Sequence, residues 1–350
     1  MIREFKSNRI LQGLLFTVLL VIFGSCNNQN AAGMSSDRHI VMDTTATKDT
    51  VEVIPASLDT SLYNQKMLQM VHGQPTAKWP VKTEYPLAGA LLPFNRIVAF
   101  YGNLYSKGMG VLGALPEDKM LDSLAREVRR WEEADSLTPV IPALHYVAVT
   151  AQPEPGKGNT YRLRMPFHQL DRVLELAKKM NALVFLDIQP GHSLLTSEIP
   201  ALREYLKLPQ VHLGIDPEYS MKDGSVPCKR VGTMDAADVN YASEYLANLV
   251  KEYNLPPKIL VVHRFTKGMV TGASDIVTRP EVQVVMHMDG FGGKAKKLSS
   301  YQLAVVSEPV QFAGFKLFYK NDKMEPGRPY IMRREEVLAL NPVPVYIQYQ

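Results

Sequence analysis

From Arg96 to the end of the chain, short apolar runs alternate with segments whose apolar residues recur at helical spacing. The run RIVAFYG, for example, precedes a stretch in which Leu121, Leu124 and Val128 share one face of a helix. Eight β-strands are predicted, at residues 96–102, 140–149, 182–189, 211–216, 258–263, 282–289, 315–320 and 344–350. Helices are predicted between them at residues 118–134, 168–181, 193–208, 235–253, 294–306 and 333–340. Asp235 stands where the N-cap of the fourth helix is expected.

The predicted strands lack the polar alternation of a half-exposed sheet, as strands buried on both faces do. Strands of this kind separated by helices are typical of an α/β protein with a parallel sheet. We therefore predict a (β/α)8 TIM-barrel domain over residues 96–350. An open, doubly wound sheet is the alternative, but the count of eight strands, ending at the last residue, favours closure.

The chain before the barrel has a different composition. Residues 61–95 are predicted to form an N-terminal extension that packs on the domain, with one amphipathic helix at 62–72. The apolar face of that helix would hold Leu62, Met67, Met70 and Val71. Residues 26–60 are rich in Asn, Thr, Asp, Ser and Ala, which predicts a flexible tether.

The first 25 residues have the pattern of a targeting signal. Basic residues at positions 3, 6 and 9 precede an apolar run at 11–23 that is short for a membrane-spanning helix. The sequence FGSC then ends at Cys26, and it resembles the lipobox of a bacterial lipoprotein signal peptide, with Phe in place of the usual Leu. That resemblance implies cleavage before Cys26 and lipidation of that residue. The protein would then be held at a membrane of the cell envelope, facing the periplasm or the cell surface.

Charge and cysteine content exclude some classes of protein. The formal net charge is +4 for 350 residues, which gives no reason to expect a nucleic-acid partner. The chain has two cysteines, Cys26 and Cys228, so lipidation of the first would leave no pair for a disulfide. A core of this size is stable without one.

Polar residues follow one predicted strand after another. In a (β/α)8 barrel the carboxyl ends of the strands face one mouth, where the chemistry is done. The predicted ends carry Tyr101 and Asn103, His145 or Tyr146, Asp187 and Gln189, Asp216 and Glu218, His263 and Arg264, His287 and Asp289, Tyr319 and Lys320, and Tyr349 or Gln350. Since side chains alternate along a strand, residues two apart point to the same face. A polar site that draws on all the strands is therefore predicted at the mouth.

Asp216 and Glu218 are the pair with the most direct chemical meaning. Two neighbouring buried carboxyl groups repel each other when ionised, so one pKa must rise, and a raised pKa is what a general acid needs. Glycoside hydrolysis also requires a second carboxylate, for which Asp187 and Asp289 are candidates. The predicted catalytic residues are thus Glu218, Asp216, Asp187 and Asp289. The predicted substrate-binding residues are Tyr101, Asn103, Gln189, Tyr219, His263, Arg264, His287 and Tyr319.

Two resemblances bear on this site. The Asp216-x-Glu218 pattern at the end of the fourth strand resembles chitinase-like and Chalaropsis-lysozyme-like glycosidases, in which the Glu is the acid and the Asp its partner. The two further upstream Asp of the chitinase motif are absent, since His212 and Gly214 occupy those positions. The segments FYGN, LDIQPG, DPE, VVHRFT and HMDGFG are also similar to those of an uncharacterised family of secreted bacterial proteins. That second resemblance implies no activity.

Two other functions stay open at this stage. Asp187, Glu218, His263, His287 and Asp289 offer imidazole and carboxylate ligands for a divalent metal, which would make the protein a metal-dependent hydrolase, for example of phosphodiesters. Alternatively, the barrel is a lipoprotein that binds a glycan without catalysis. Glycoside hydrolysis, which needs no cofactor, is the function that the sequence favours.

Overall fold

Eight parallel strands close into a barrel in the computed structural model, which describes residues 57–324 and 330–350. The strands are β1 (Arg96–Gly102), β2 (Val140–Ala151), β3 (Leu183–Ile188), β4 (Val211–Ile215), β5 (Lys258–Arg264), β6 (Val282–Met288), β7 (Phe312–Leu317) and β8 (Tyr346–Tyr349). β1 pairs with β2 on one side and with β8 on the other, so every strand has two neighbours. The predicted (β/α)8 barrel is therefore confirmed.

One helix precedes the first strand, and the other helices lie between successive strands along the chain. They are α1 (Thr60–Gln69), α2 (Val111–Ala114), α3 (Glu117–Ala134), α4 (Phe167–Lys178), α5 (Leu195–Glu198), α6 (Arg203–Leu206), α7 (Ala236–Tyr253), α8 (Lys294–Tyr301) and α9 (Arg334–Leu338). Asp235 caps α7 as predicted: its side chain accepts a hydrogen bond from the backbone N–H of Asp238 at 3.1 Å. Short 3-10 turns lie at Lys157–Asn159, Pro200–Leu202, Pro217–Tyr219, Lys267–Met269, Ala273–Asp275 and Asn321–Lys323, and a π-helical turn at Gln302–Val306.

Two predicted elements differ from those observed. The single helix expected at 193–208 is divided into α5, a 3-10 turn and α6, because Pro200 has no N–H to continue the first helix. The seventh strand starts at Phe312 and ends at Leu317, three residues earlier than predicted. A short additional strand, Arg162–Arg164, pairs antiparallel with β2.

The floor of the barrel, at the amino ends of the strands, is apolar. It is built from side chains that alternate inward along the strands, among them Ile97, Ala99, Ala143, Phe185, Ile259, Val261, Val285, Phe312 and Tyr346. Helix α1 closes this floor with Tyr63 and Met67, and Met70 follows at its end; each of the three is at most 5% exposed. Burying side chains of this size stabilises the fold by about 1.5–3 kcal/mol each. Leu62, predicted to face inward, is 39% exposed, so the buried face of α1 is rotated toward Tyr63.

Most of the predictions for the N-terminus concern residues outside the described part of the chain. The signal peptide at 1–25, the lipidation site Cys26 and the tether up to residue 56 are among the residues that the structure does not describe. Within the described part of the chain, no helix combines the length and the apolar character needed to cross a bilayer.

Candidate active site

The upper half of the barrel interior, toward the carboxyl ends of the strands, is polar. On each strand the residues two or four positions beyond the floor point inward as well, since side chains alternate. The inward set is Tyr101, His145, Asp187, Gln189, Asp216, His263, His287, Asp289, Lys316 and Gln348, and each of these is 7% exposed or less. The structure thus brings together most of the side chains that the sequence placed at the mouth, selects His145 rather than Tyr146 on β2, and adds Lys316 and Gln348.

Asp187 lies at the centre of this set. Its Oδ2 accepts a hydrogen bond from the Tyr101 hydroxyl at 3.0 Å. Its Oδ1 lies 3.4 Å from Nε2 of His145 and 3.6 Å from Nε2 of His263. Burial alone would raise the pKa of Asp187, but the electrostatic effect of His263 and His145 and the hydrogen bond from the Tyr101 hydroxyl outweigh it and lower that pKa. Asp187 is therefore ionised at neutral pH.

Asp216 and Glu218 are held by a turn rather than by a strand. β4 ends at Ile215, and Asp216 caps the 3-10 turn Pro217–Tyr219 by accepting the backbone N–H of Glu218 at 3.2 Å. The other carboxyl oxygen of Asp216 accepts a long hydrogen bond from the amide of Gln189 at 3.4 Å. The expectation that strand alternation aligns the two carboxyl groups is wrong, because the proline ends the pairing one residue earlier. Both carboxyl groups nevertheless stay at the mouth.

The turn after β4 is fixed by the neighbouring loops. Gly191, in the loop after β3, donates its N–H to the Tyr219 carbonyl at 2.9 Å and accepts the N–H of Met221 at 2.9 Å. The carbonyl of Glu218 accepts the N–H of Gly232 at 2.6 Å. Gly191 has a φ of +61°, and a Cβ there would lie 2.4 Å from the carbonyl oxygen of Tyr161, so the position requires glycine. These bonds hold the backbone of Glu218 in place.

Glu218 has the electrostatics of a proton donor. Burial and the nearby charge of Asp289 raise its pKa to about 7, against an opposing contribution from Lys316. The pKa of Asp216 is also raised well above its usual range, by burial first and then by Asp289, Asp187 and Glu218. The mouth therefore holds two carboxyl groups whose pKa values are raised, above Asp187, whose pKa is lowered.

Lys316 is the inward residue of β7 that sequence reasoning missed. Its Nζ lies 3.9 Å from the ring centre of Tyr101, and the side chain is 3% exposed. Burial lowers the pKa of Lys316, while four carboxyl groups at the mouth, those of Asp289, Asp216, Asp187 and Glu218, oppose that shift. The one inward cation on β7 thus faces all four predicted catalytic residues.

Two predicted substrate-binding residues lie outside the barrel interior. Arg264 ends β5 with its side chain outside the barrel, where it donates to the carbonyls of Val270 and Ala304 and to Glu308. Tyr319 stacks on Tyr349 with ring centres 5.1 Å apart, in the layer between strands and helices. Both assignments are corrected to structural roles.

Asn103 is at the rim, but its side chain is hydrogen-bonded to backbone groups. Its amide donates to the Val147 carbonyl at 3.0 Å and its side-chain oxygen accepts the N–H of Tyr105 at 2.8 Å. Its side chain therefore shapes the loop after β1. Tyr219, in contrast, is partly exposed beside Glu218 and Asp216, whose charges, after burial, raise its pKa.

The metal-ligand set predicted from the sequence is assembled only in part. Among the described residues, the group with converging ligand atoms is His145, Asp187 and His263. Glu218, His287 and Asp289 do not belong to it. His145 is the third member of the group instead. The sequence did not distinguish it from Tyr146 as the inward residue of that strand.

Comparisons with known proteins give architecture only. No protein-family model matches the chain, and no curated protein matches it. The solved structures that are similar in fold include the following two. One, described as ZgEngAGH5_4 in complex with a cellotriose, has 10% sequence identity and a TM-score of 0.38, over 74% of this chain and 88% of that one. The other, a ruminal GH26 endo-beta-1,4-mannanase, has 11% identity and a TM-score of 0.34, over 73% of this chain and 59% of that one. Similarities of this size assign neither a substrate nor a catalytic residue to this chain.

Proposed function

We propose that the protein is a glycoside hydrolase in which Glu218 is the general acid. The observation that carries the proposal is the pKa of Glu218, raised to about 7 by burial and by Asp289 at the mouth of a (β/α)8 barrel. A carboxyl group with this pKa is protonated in a useful fraction at neutral pH and can protonate the oxygen of a leaving sugar.

Asp289 is the second carboxylate in this proposal. Its Oδ2 is fixed by Nδ1 of His263 at 3.1 Å, while its Oδ1 has no hydrogen-bond partner among the described residues. A fixed carboxylate with one free oxygen can activate a water or stabilise positive charge on the sugar ring. Asp187 is less suited to this role, because it is fully buried beneath the mouth and already bound to Tyr101. It orients the groups above it.

The remaining side chains of the mouth suit a neutral, hydroxyl-rich ligand. Tyr219 is partly exposed beside Glu218 and can pack against a sugar ring. The amide of Gln189 lies 3.3 Å from the Tyr101 hydroxyl and 3.4 Å from Asp216, so a sugar hydroxyl placed there would meet donors and acceptors together. The segments FYGN, LDIQPG, DPE, VVHRFT and HMDGFG all lie at the carboxyl ends of strands, which supports a function at this face for any family that shares them.

The test is the variant Glu218→Gln, assayed on a panel of polysaccharides that includes cellulose, mannan, chitin and peptidoglycan. Loss of the acid should lower kcat by about 100- to 10,000-fold while the circular dichroism spectrum is unchanged. Glu244→Gln, at an exposed position on α7, is the matched control and should keep full activity.

The pH profile follows from the direction of the shift. Glu218 acts in its protonated form, so the wild-type rate should fall as the pH rises through about 7. An unchanged rate in Glu218→Gln on a substrate that the wild type cleaves would refute the assignment. Tight binding of a glycan with no turnover by the wild type would instead favour the non-catalytic, glycan-binding function.

We further propose that the chain is a lipoprotein anchored through Cys26. The support is the basic, apolar and small-residue pattern that ends at this cysteine. Cys26→Ser should move the protein from the membrane fraction to the soluble fraction, since the lipid is lost. Cys228→Ser, which removes the exposed cysteine of the barrel domain, should leave the protein in the membrane fraction. Continued membrane attachment of Cys26→Ser would contradict the proposal.

A further inference from the structure

Three potential metal ligands converge inside the barrel, below the carboxyl groups of the mouth. Nε2 of His145, Oδ1 of Asp187 and Nε2 of His263 all lie within 4.8 Å of one another. The carboxylate oxygen is 3.4 Å from the first nitrogen and 3.6 Å from the second. Ligands about 2.0–2.1 Å from a tetrahedral ion are about 3.4 Å apart, so these separations match the edges of such a site.

On each of the three ligands, the polar atom that points away from the other two has a hydrogen-bond partner, as is usual for metal ligands. Nδ1 of His263 lies 3.1 Å from Oδ2 of Asp289, which forms a carboxylate–histidine pair. Nδ1 of His145 lies 2.6 Å from the Tyr346 hydroxyl. The second oxygen of Asp187 takes a hydrogen bond from a tyrosine, as described above. Partners of this kind fix the tautomer of a ligating histidine and the orientation of its ring.

Three buried polar atoms face one another between the ligands. Within the described part of the chain, His145 Nε2, Asp187 Oδ1 and His263 Nε2 are all buried without a hydrogen-bond partner. Buried polar atoms of this kind are costly unless a cation or a proton lies between them.

A glycine allows the ligands to approach one another. Gly214 is the inward residue of β4 beside them, and a Cβ on it would lie 2.5 Å from both Asp187 Oδ1 and His145 Nε2. A glycine inside a strand is unfavourable in itself and marks close approach of another group. Here that group is the pair of converging ligand atoms.

We propose that His145, Asp187 and His263 bind one divalent transition-metal ion of the zinc type inside the barrel. Two imidazoles and one carboxylate suit zinc, iron or nickel better than magnesium or calcium. Three protein ligands leave further coordination to water or to a ligand that enters from the mouth. The site is independent of the proposed hydrolase activity, and each can fail without the other.

The test measures metal content and metal binding in the purified full-length protein. After removal of metal with a chelator, the protein should take up one equivalent of Zn²⁺, and its Tm should rise with added Zn²⁺. Co²⁺ in the same site should give the visible absorption of a tetrahedral complex with nitrogen and oxygen ligands. His145→Gln and His263→Gln should each weaken Zn²⁺ binding by 100-fold or more and remove the Tm shift.

His212→Gln is the matched control. His212 is also an inward, fully buried histidine, one level lower on β4, and lies outside the converging group. That variant should bind Zn²⁺ like the wild type. Uptake of well under one equivalent by the wild type would overturn the proposal, as would unchanged binding in both His145→Gln and His263→Gln. Should a variant fail to fold, the stoichiometry and the Co²⁺ spectrum of the wild type still decide.

Discussion

Replacement of Lys316 by methionine tests whether the mouth depends on one buried cation. Methionine keeps most of the length and the apolar stem of lysine but removes its charge. Lys316 is 3% exposed and interacts with four carboxyl groups in and below the mouth. Because the site is buried, solvent water cannot compensate these groups for the loss of its charge. Its removal leaves at least Asp187 ionised and buried without this cation.

The expected cost is that of breaking a buried ion pair from one side. Such changes destabilise by about 3–5 kcal/mol, because the remaining charge stays buried. Part of the cost is offset when carboxyl groups take up protons, and each unit by which a pKa rises is worth about 1.4 kcal/mol. Lys316→Met should therefore lower the free energy of unfolding by about 3–5 kcal/mol at about pH 8.

The pH dependence gives the prediction its sign. Lys316 lowers the pKa values of Asp216 and Glu218, so without it both carboxyl groups are protonated at higher pH. As the pH falls through about 7, Glu218 becomes neutral in the wild type as well, and less charge is left uncompensated. The difference in stability between Lys316→Met and the wild type should thus be largest above pH 7 and shrink as the pH falls.

Urea unfolding followed by the fluorescence of the two buried tryptophans, Trp79 and Trp131, measures this difference at several pH values. Lys320→Met removes an exposed lysine four residues later and should change stability by less than about 0.5 kcal/mol. Equal stability of Lys316→Met and the wild type at all pH values would refute the charge-balance reasoning. So would a destabilisation that grows as the pH falls.

Two further predictions concern the frame around the site. Arg264→Met removes charged hydrogen bonds to the carbonyls of Val270 and Ala304, and urea unfolding should show a loss of about 3 kcal/mol in stability. KM should not rise. A higher KM at unchanged stability would restore the substrate-binding role. Asp235→Ala removes the side chain that accepts the N–H of Asp238, and thermal unfolding should show a loss of about 1 kcal/mol in the free energy of unfolding. A change below about 0.3 kcal/mol would show that the cap is dispensable.

The strands were predictable because strands covered on both faces are continuous apolar runs. Seven of the eight begin within one or two residues of their predicted starts, since each run is bounded by polar or turn-forming residues. The same continuous apolar runs do not indicate which side chains point into the barrel. Tyr146 and His145 are both fully buried, so burial alone did not say which of them points inward.

The seventh strand shows what the sequence did not contain. The prediction placed Tyr319 and Lys320 at the mouth, but β7 starts at Phe312 and brings in Lys316 instead. The register depends on Gly314, where a Cβ would lie 2.5 Å from Nδ1 of His287 on the neighbouring strand. That contact is between residues distant in sequence, and no local pattern signals it.

The helix that closes the floor has a practical consequence for handling the protein. Because α1 covers the amino ends of the strands, this helix lies at the face opposite Glu218. Gln350, in contrast, lies beside the mouth, where its amide donates to the Met109 carbonyl at 2.6 Å. A fluorophore or an immobilisation site placed on the exposed face of α1 therefore leaves the entrance clear for large polymers. The same label at Gln350 would stand at the entrance itself.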